Sequence, residues 1–475
     1  MAFWGRTKEL ERLGRLLKKE SSSLVVCKGR RRIGKSTLIA KFAESADRFL
    51  QFQGLAPRDG LSDQAQRDAF SKQLARQSEL PELKLESWAQ TFSLLASNIK
   101  NEKTVVLLDE ISWMGMRSRD FAGYLKIAWD TEFKKHPNLI LVLCGSVSSW
   151  IENNIMKNTG FVGRVSLELQ LEEMSLAECH LFWKDRKDRI SSREKLKLLA
   201  VTGGIPRYLE EVDPSMDADH NIKEMCFLPD GLLYREFQQI FDDIFSKKTE
   251  VYRHIIKELV SGDKTLSDIS QSIEITRGGR LSAHLEDLIV SGFLMKYKVF
   301  KPGAHTASRS ERYRLKDNYL RFYFRYMEKL SSNIESRLYE DSALSEIISW
   351  DSIVGIQFET LVLNNLSSLC RHLNIPIGEI ISCSPYHQKK TKQHPACQID
   401  LLIQTKECLY ICEIKFKKSI GIEVIDEVNN KIKALTPHKG LSLRIVLVYE
   451  GKITQGLDRS QFFDQMLSFE KLIQA

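Results

Sequence analysis

The stretch Gly29-Arg30-Arg31-Arg32-Ile33-Gly34-Lys35-Ser36 constrains this chain more than any other. It follows an apolar run, Leu24 to Cys27, and precedes a helical pattern, Thr37 to Ala43. The two glycines let the main chain turn sharply and aim its N–H groups inward. The helix that follows adds partial positive charge at its start. Strand, glycine loop and helix in that order predict an anion cradle at the end of a parallel α/β sheet.

The neighbouring pattern agrees. Apolar runs at Phe49 to Phe52, Val105 to Leu108, Leu139 to Leu143 and Val165 to Leu169 alternate with helical segments. With Leu24 to Cys27 they predict a five-stranded parallel core. At 475 residues the chain exceeds what one hydrophobic core holds, so several domains are expected. The division read from the sequence is a P-loop core over 1–174, a helical lid over 175–245, a winged helix-turn-helix over 246–318, a helical connector over 319–350 and a last α/β segment over 351–475.

A cradle of this type suits the phosphates of a nucleotide. The main chain from Gly29 through Arg30, Arg31, Arg32, Ile33 and Gly34 would wrap them, and Thr37 would open the helix beneath. Lys35 would reach the β- and γ-phosphates, and the Ser36 hydroxyl would ligate Mg²⁺. Val105 to Leu108 delivers Asp109 to a strand end, where it would hold Mg²⁺. Glu110 directly after it can polarise the attacking water. ATP and Mg²⁺ are therefore the expected cofactors, and hydrolysis the expected reaction. Ser146, at the end of the next strand, could orient the water or be a turn residue. Arg164, before the fifth strand, could stabilise charge on its own subunit or on a second copy of the chain, or be a surface arginine.

The segment from Val251 to Lys316 reads as three short helices and a hairpin, the order of a winged helix-turn-helix. Its third helix begins near Arg277 and Arg280 and is read as carrying His284 on the face away from its apolar stripe. Those cations would suit DNA, although packing is an equal use of such a module. Further on, Asp400 enters one strand of a hairpin, and Glu413-Ile414-Lys415 leaves the next. This brings two carboxylates and an amine together, a set that suits Mg²⁺ or Mn²⁺ and a phosphodiester. Lys389, Lys390, Lys392, Lys417 and Lys418 would suit a phosphate backbone or simply a solvated surface.

Phe3-Trp4-Gly5-Arg6 with Glu9, the loop, Leu108-Asp109-Glu110, Gly163-Arg164 and Gly203-Gly204-Ile205-Pro206-Arg207-Tyr208 together resemble the archaeal-type P-loop ATPase family, of the additional-strand class related to AAA+ and signal-transducing NTPases. The resemblance implies that Gly5, Arg6 and Glu9 pack near the adenine and that Pro206 and Arg207 act as nucleotide sensors in the lid. Asp400, Glu413 and Lys415, with Glu359 on an earlier helix, resemble the PD-(D/E)XK nuclease core. That likeness implies a restriction-endonuclease-like C-terminal domain with Glu359, Asp400 and Glu413 as metal ligands and Lys415 as the catalytic lysine. Gln398-Ile399 stands where that core has a proline before the first Asp.

The 70 Lys and Arg residues exceed the 62 Asp and Glu, and a net charge of +8 permits nucleic acid without requiring it. Nine cysteines lack metal-site spacing. No apolar run approaches the roughly 20 residues of a membrane helix, and the first residues lack a signal peptide's pattern, so a cytoplasmic protein with no membrane partner is expected. Two functions compete: an ATPase controlling a DNA-directed, metal-dependent nuclease-like domain, and an ATP-switched binding or regulatory protein that cuts nothing. A transcription regulator is the third.

Overall fold

A computed structural model describes every residue except 1–2, 147–148, 238–248, 276–277, 301, 304–306, 351–352, 391–394, 436–439 and 475. The chain forms two compact units, residues 1–172 with 290–292, and residues 173–289 with 293–475.

In the first unit, β1 (Ser23–Gly29), β2 (Arg48–Gln53), β3 (Thr104–Asp109), β4 (Leu139–Ser146) and β5 (Val165–Leu171) form one sheet in the order β2-β3-β4-β1-β5. Every neighbouring pair runs parallel. Every residue of β1 and β3 is buried, as the continuous apolar runs predict for strands covered on both faces. Helices Asp63–Gln77, Trp88–Ser97 and Phe121–Thr131 cover part of the sheet, and Ser62 and Ser87 cap the first two by accepting from the N–H groups of Ala65 and Gln90. Their contact is aromatic: Phe52 stacks on Phe70 at 4.2 Å, and Trp88 meets Phe121 edge-on at 4.7 Å. Burying each such ring contributes about 1.5–3 kcal/mol. This mass fixes the sheet against which the nucleotide loop is set.

The second unit opens with helices Leu176–His180, Ser192–Thr202, Pro206–Leu209 and Ala218–Cys226. Helices Thr249–Leu259, Leu266–Ser272 and Gly279–Val290 follow, then an antiparallel hairpin of β6 (Leu294–Phe300) and β7 (Ala307–Leu315). His284 does not lie on the face away from the apolar stripe. It is 3% exposed and its Nδ1 lies 3.3 Å from the Tyr252 hydroxyl. The reason is helical spacing: 281, 284, 285 and 288 share one face, so His284 belongs to the stripe of Leu281, Leu285 and Leu288, all buried. Arg280 is exposed; Arg277, like Lys392, lies outside the described residues.

After helix Val354–Asn364, strands β8 (Ser382–Gln388), β9 (Cys397–Gln404), β10 (Cys408–Ile420), β11 (Ser442–Ile453) and β12 (Gln465–Ser468) form a mixed sheet in the order β12-β11-β10-β9-β8. β8, β9 and β10 pair antiparallel, whereas β10, β11 and β12 pair parallel. The parallel step requires a crossover, and helix Glu423–Ala434 supplies part of it. Tyr297, Val299 and Phe300 of β6 share one apolar cluster with Tyr386, Ile399, Leu402, Leu409 and Ile411. The hairpin is thereby packed onto the C-terminal sheet. Among the described residues no helix is long and apolar enough to cross a membrane. All nine cysteines are free thiols.

Candidate functional site

The nucleotide loop leaves the carboxyl end of β1. A Cβ on Gly29 would meet the Leu171 carbonyl at 2.6 Å, so β5 leaves room only for glycine there. Gly34 turns into the helix Lys35–Ala43 with φ +84°, the left-handed region that favours glycine. Lys35 is buried, and its Nζ donates to the carbonyls of Gly29 at 3.1 Å and Arg30 at 3.0 Å. It therefore sits inside the curl of the loop. Ser36 Oγ donates to Asp109 Oδ2 at 2.6 Å, while Asp109 Oδ1 accepts from the Glu110 N–H at 3.0 Å. Ser36 and Asp109 are an oxygen pair that fits Mg²⁺, the group that would neutralise charge on the transferred phosphoryl.

Glu110 sits in the left-handed region at φ +50°, ψ +47°, a conformation costing a non-glycine residue of order 1 kcal/mol or more. The turn swings its carboxylate toward β4, where Oε2 accepts from the Ser146 N–H at 3.5 Å. Burial raises its pKa above the ordinary carboxylate value; Lys35 opposes this, Asp109 adds to it, and the Ser146 N–H and Arg31 oppose it further. A carboxylate with a raised pKa beside the loop lysine is suited to take a proton from water. Ser146 thus reaches the site through its main chain.

Arg6 also joins the loop. Its residue adopts φ +57°, and its buried guanidinium donates to the Ile33 carbonyl at 3.3 Å and the Glu172 carbonyl at 2.7 Å, with Glu9 at 3.6 Å. Gly5 precedes it, also left-handed at φ +68°. Arg30 is buried, Arg31 and Arg32 are half-buried, and Thr37 is exposed.

Arg164 stands elsewhere. Val165 pairs opposite Leu24, at the start of β1, whereas Leu171 pairs opposite Gly29 at its end. The run of β1 from Leu24 to Gly29 separates Arg164 from the loop by roughly 16 Å at about 3.3 Å per residue. Its Nε and Nη2 bond Asp130 at 2.7 and 2.8 Å. Arg164, then Lys126, hold the Asp130 carboxyl well below its ordinary range. Pro206 opens its short helix, and Arg207 pairs with Glu211 at 2.5 Å; both belong to the second unit.

Sequence reasoning missed one ion group in this unit. Lys28, a buried lysine next to the loop on β1, pairs with Glu152 and, at 2.8 Å, with Glu168. Burial would push its ammonium down; Glu152 and Glu168 together outweigh that and hold it up. A single lysine in the otherwise uncharged strand β1 was the available signal.

In the second unit, Asp400 and Glu413 approach across β9 and β10. Asp400 Oδ2 accepts from the Ile414 N–H at 2.8 Å. Its pKa is raised to about 7, by burial first, then by Glu413 and Glu359, against Lys431 and that N–H. Glu413 and Glu359 both carry like charge, which opposes ionisation of Asp400. Glu413 is fully buried and is met by Lys415 at 2.9 Å and by Lys431 at 2.6 and 2.7 Å. Lys415 goes on to Glu427 at 2.7 Å. Burial alone would push the Lys415 ammonium down; Glu413 and Glu427 hold it above its ordinary value.

Glu359 is taken by Arg314 of β7 at 3.0 Å, and Arg314 also pairs with Asp263 at 3.2 Å. The expected divalent ion does not fit these side chains as they stand. Among the described residues no three acidic, histidine or cysteine groups converge to hold a metal, and Glu413 gives both its oxygens to lysine. Lys431, Glu427, Arg314 and Asp263 were not legible as members of this centre.

Residues 3–212 match the family model described as an ATPase domain predominantly from Archaea. They form an ATPase-type domain. An uncharacterized protein of Methanocaldococcus jannaschii is 23% identical over 422 residues, covering 87% of this chain and 88% of that protein. The Walker-type ATPase of Pyrococcus abyssi superposes with a TM-score of 0.49 at 17% identity, covering 68% of this chain and 96% of that one. The ORC2 protein of Aeropyrum pernix, solved with ADPNP and ADP, gives 0.41 at 15% identity, covering 70% and 94%.

Proposed function

We propose that the chain is a Mg²⁺-dependent ATPase whose nucleotide state governs how its C-terminal domain engages nucleic acid. The Ser36–Asp109 bond, with Glu110 turned toward Ser146 beside it, carries the hydrolytic half of this reading. Lys35 would bind and orient the phosphates, and Glu110 would take the proton from the attacking water. Gly5 and Arg6 near the adenine, and Pro206 and Arg207 as sensors in the lid, follow from the family resemblance.

For the second half, β9 carrying Asp400 and β10 carrying Glu413 and Lys415 have the order of a PD-(D/E)XK core. The three helices and hairpin before it have the order of a winged helix-turn-helix. Its use as a DNA reader finds little support: the charged exposed positions of helix Gly279–Val290 are one cation, Arg280, and one anion, Glu286, and the apolar face of β6 is covered by the C-terminal sheet. Packing is the better role for it. Lys389, Lys390, Lys417 and Lys418 then offer the charge for a phosphate backbone.

Whether the domain also cuts is a second reading, and the pairing of Glu413 with two lysines favours gripping over cutting. ATP turnover, DNA binding and DNA cleavage are measured in parallel for the parent, Lys35→Ala and Glu413→Ala proteins. Nucleotide-dependent DNA binding that Lys35→Ala abolishes supports the proposal; DNA binding indifferent to ATP, with active turnover, points to a protein partner instead. Cleavage lost in Glu413→Ala establishes the nuclease reading.

A further inference from the structure

The C-terminal centre holds one more cation than its strand pattern announces. Glu413 is fully buried, and a carboxylate in so dry a place needs a counter-charge at contact distance. Lys415 offers one, from the same strand, but it is shared with Glu427. Lys431 offers the other from a different element, the helix Glu423–Ala434, and engages Oε1 at 2.7 Å and Oε2 at 2.6 Å. One cation bridging both oxygens of a carboxylate is the position that a bidentate divalent ion takes. The Lys431 side chain is 24% exposed, so its stem runs in from the rim while its ammonium is held inside.

We propose that Lys431 is the resident counter-ion of this centre and competes with any divalent cation for Glu413. Lys431 then stands where a divalent ion would take Glu413, while Arg314 holds Glu359. A divalent ion gains Glu413 only when the Lys431 ammonium leaves it, and the part-exposed side chain has solvent to move into. The proposal rests on the C-terminal reading only for the type of cation.

The test is Mn²⁺ uptake by the nucleotide-free full chain, followed by the electron paramagnetic resonance signal of free Mn²⁺. Ser36→Ala serves as background to remove the loop's own metal ligand. In that background Lys431→Met gains one Mn²⁺ per chain, with affinity raised by about tenfold or more. Lys431→Arg behaves as the parent, and adding Glu413→Gln to Lys431→Met abolishes the gain. Equal uptake with and without Lys431 overturns the proposal, whether tight or negligible, as does a gain that survives Glu413→Gln. Should Lys431→Met lower the melting temperature, Lys431→Gln is read by the same criteria. DNA is absent throughout, so failure of the nucleic-acid reading and failure of this one are separate results.

Discussion

The Ser36 hydroxyl donates to Asp109 Oδ2 across 2.6 Å, joining the residue after the loop lysine to the last residue of β3. Ser36→Ala or Asp109→Asn is expected to shift the Mg²⁺ midpoint of ATP turnover upward by about 10–100-fold. A Mg²⁺ titration of turnover at saturating ATP checks it; an unchanged midpoint places the metal elsewhere.

Glu110→Gln is expected to lower kcat by about 10²–10⁴ while ATP still binds. The carboxylate acts when deprotonated, and burial raises its pKa above the ordinary value, so the parent's rate falls as pH drops through that raised value. Lys35 opposes the rise. Turnover against pH, with ATP binding measured alongside, distinguishes a lost base from a lost fold.

Asp263 predicts an acid limb in stability. Its side chain is 1% exposed, and although burial opposes ionisation, Arg314, then His387 and Tyr297, hold its pKa at about 2, below the ordinary 3.8. A lowered carboxylate pKa stabilises the fold above pH 3.8, and that stability, about 2 kcal/mol, fades as pH falls toward 2. Asp263→Asn is expected to unfold more easily at neutral pH and to show a shallower loss between pH 4 and 2. Urea melts across that window measure the slope.

Arg164 lies at the far end of β5 from the loop and is held by both oxygens of Asp130. At dilutions where turnover per chain no longer depends on concentration, Arg164→Ala is expected to match the parent. Loss of turnover there would put Arg164 in its own subunit's site. A defect confined to high concentration would assign it to a neighbouring copy.

What could be read from the sequence was local. The order of strand, Gly29 to Ser36 and helix is a contiguous signal, and Asp109 follows its strand directly, so both were legible. Asp400, Glu413 and Lys415 were likewise placed by hairpin geometry. His284 was misread through an error in helical spacing, since it falls on the stripe that Leu281 and Leu288 define. Lys431 was invisible because a lysine on an amphipathic helix ordinarily points into water. Arg314 and Asp263 are 51 residues apart, and only the folded second unit brings them together.

β1 is paired on both sides and every one of its residues is buried. The loop that would cradle phosphate therefore emerges from a strand whose amides are shielded on both sides. In native-state hydrogen exchange such a strand opens only with the whole domain. Nucleotide can then leave by movement of the loop and side chains around it, while the floor beneath stays folded through every turnover.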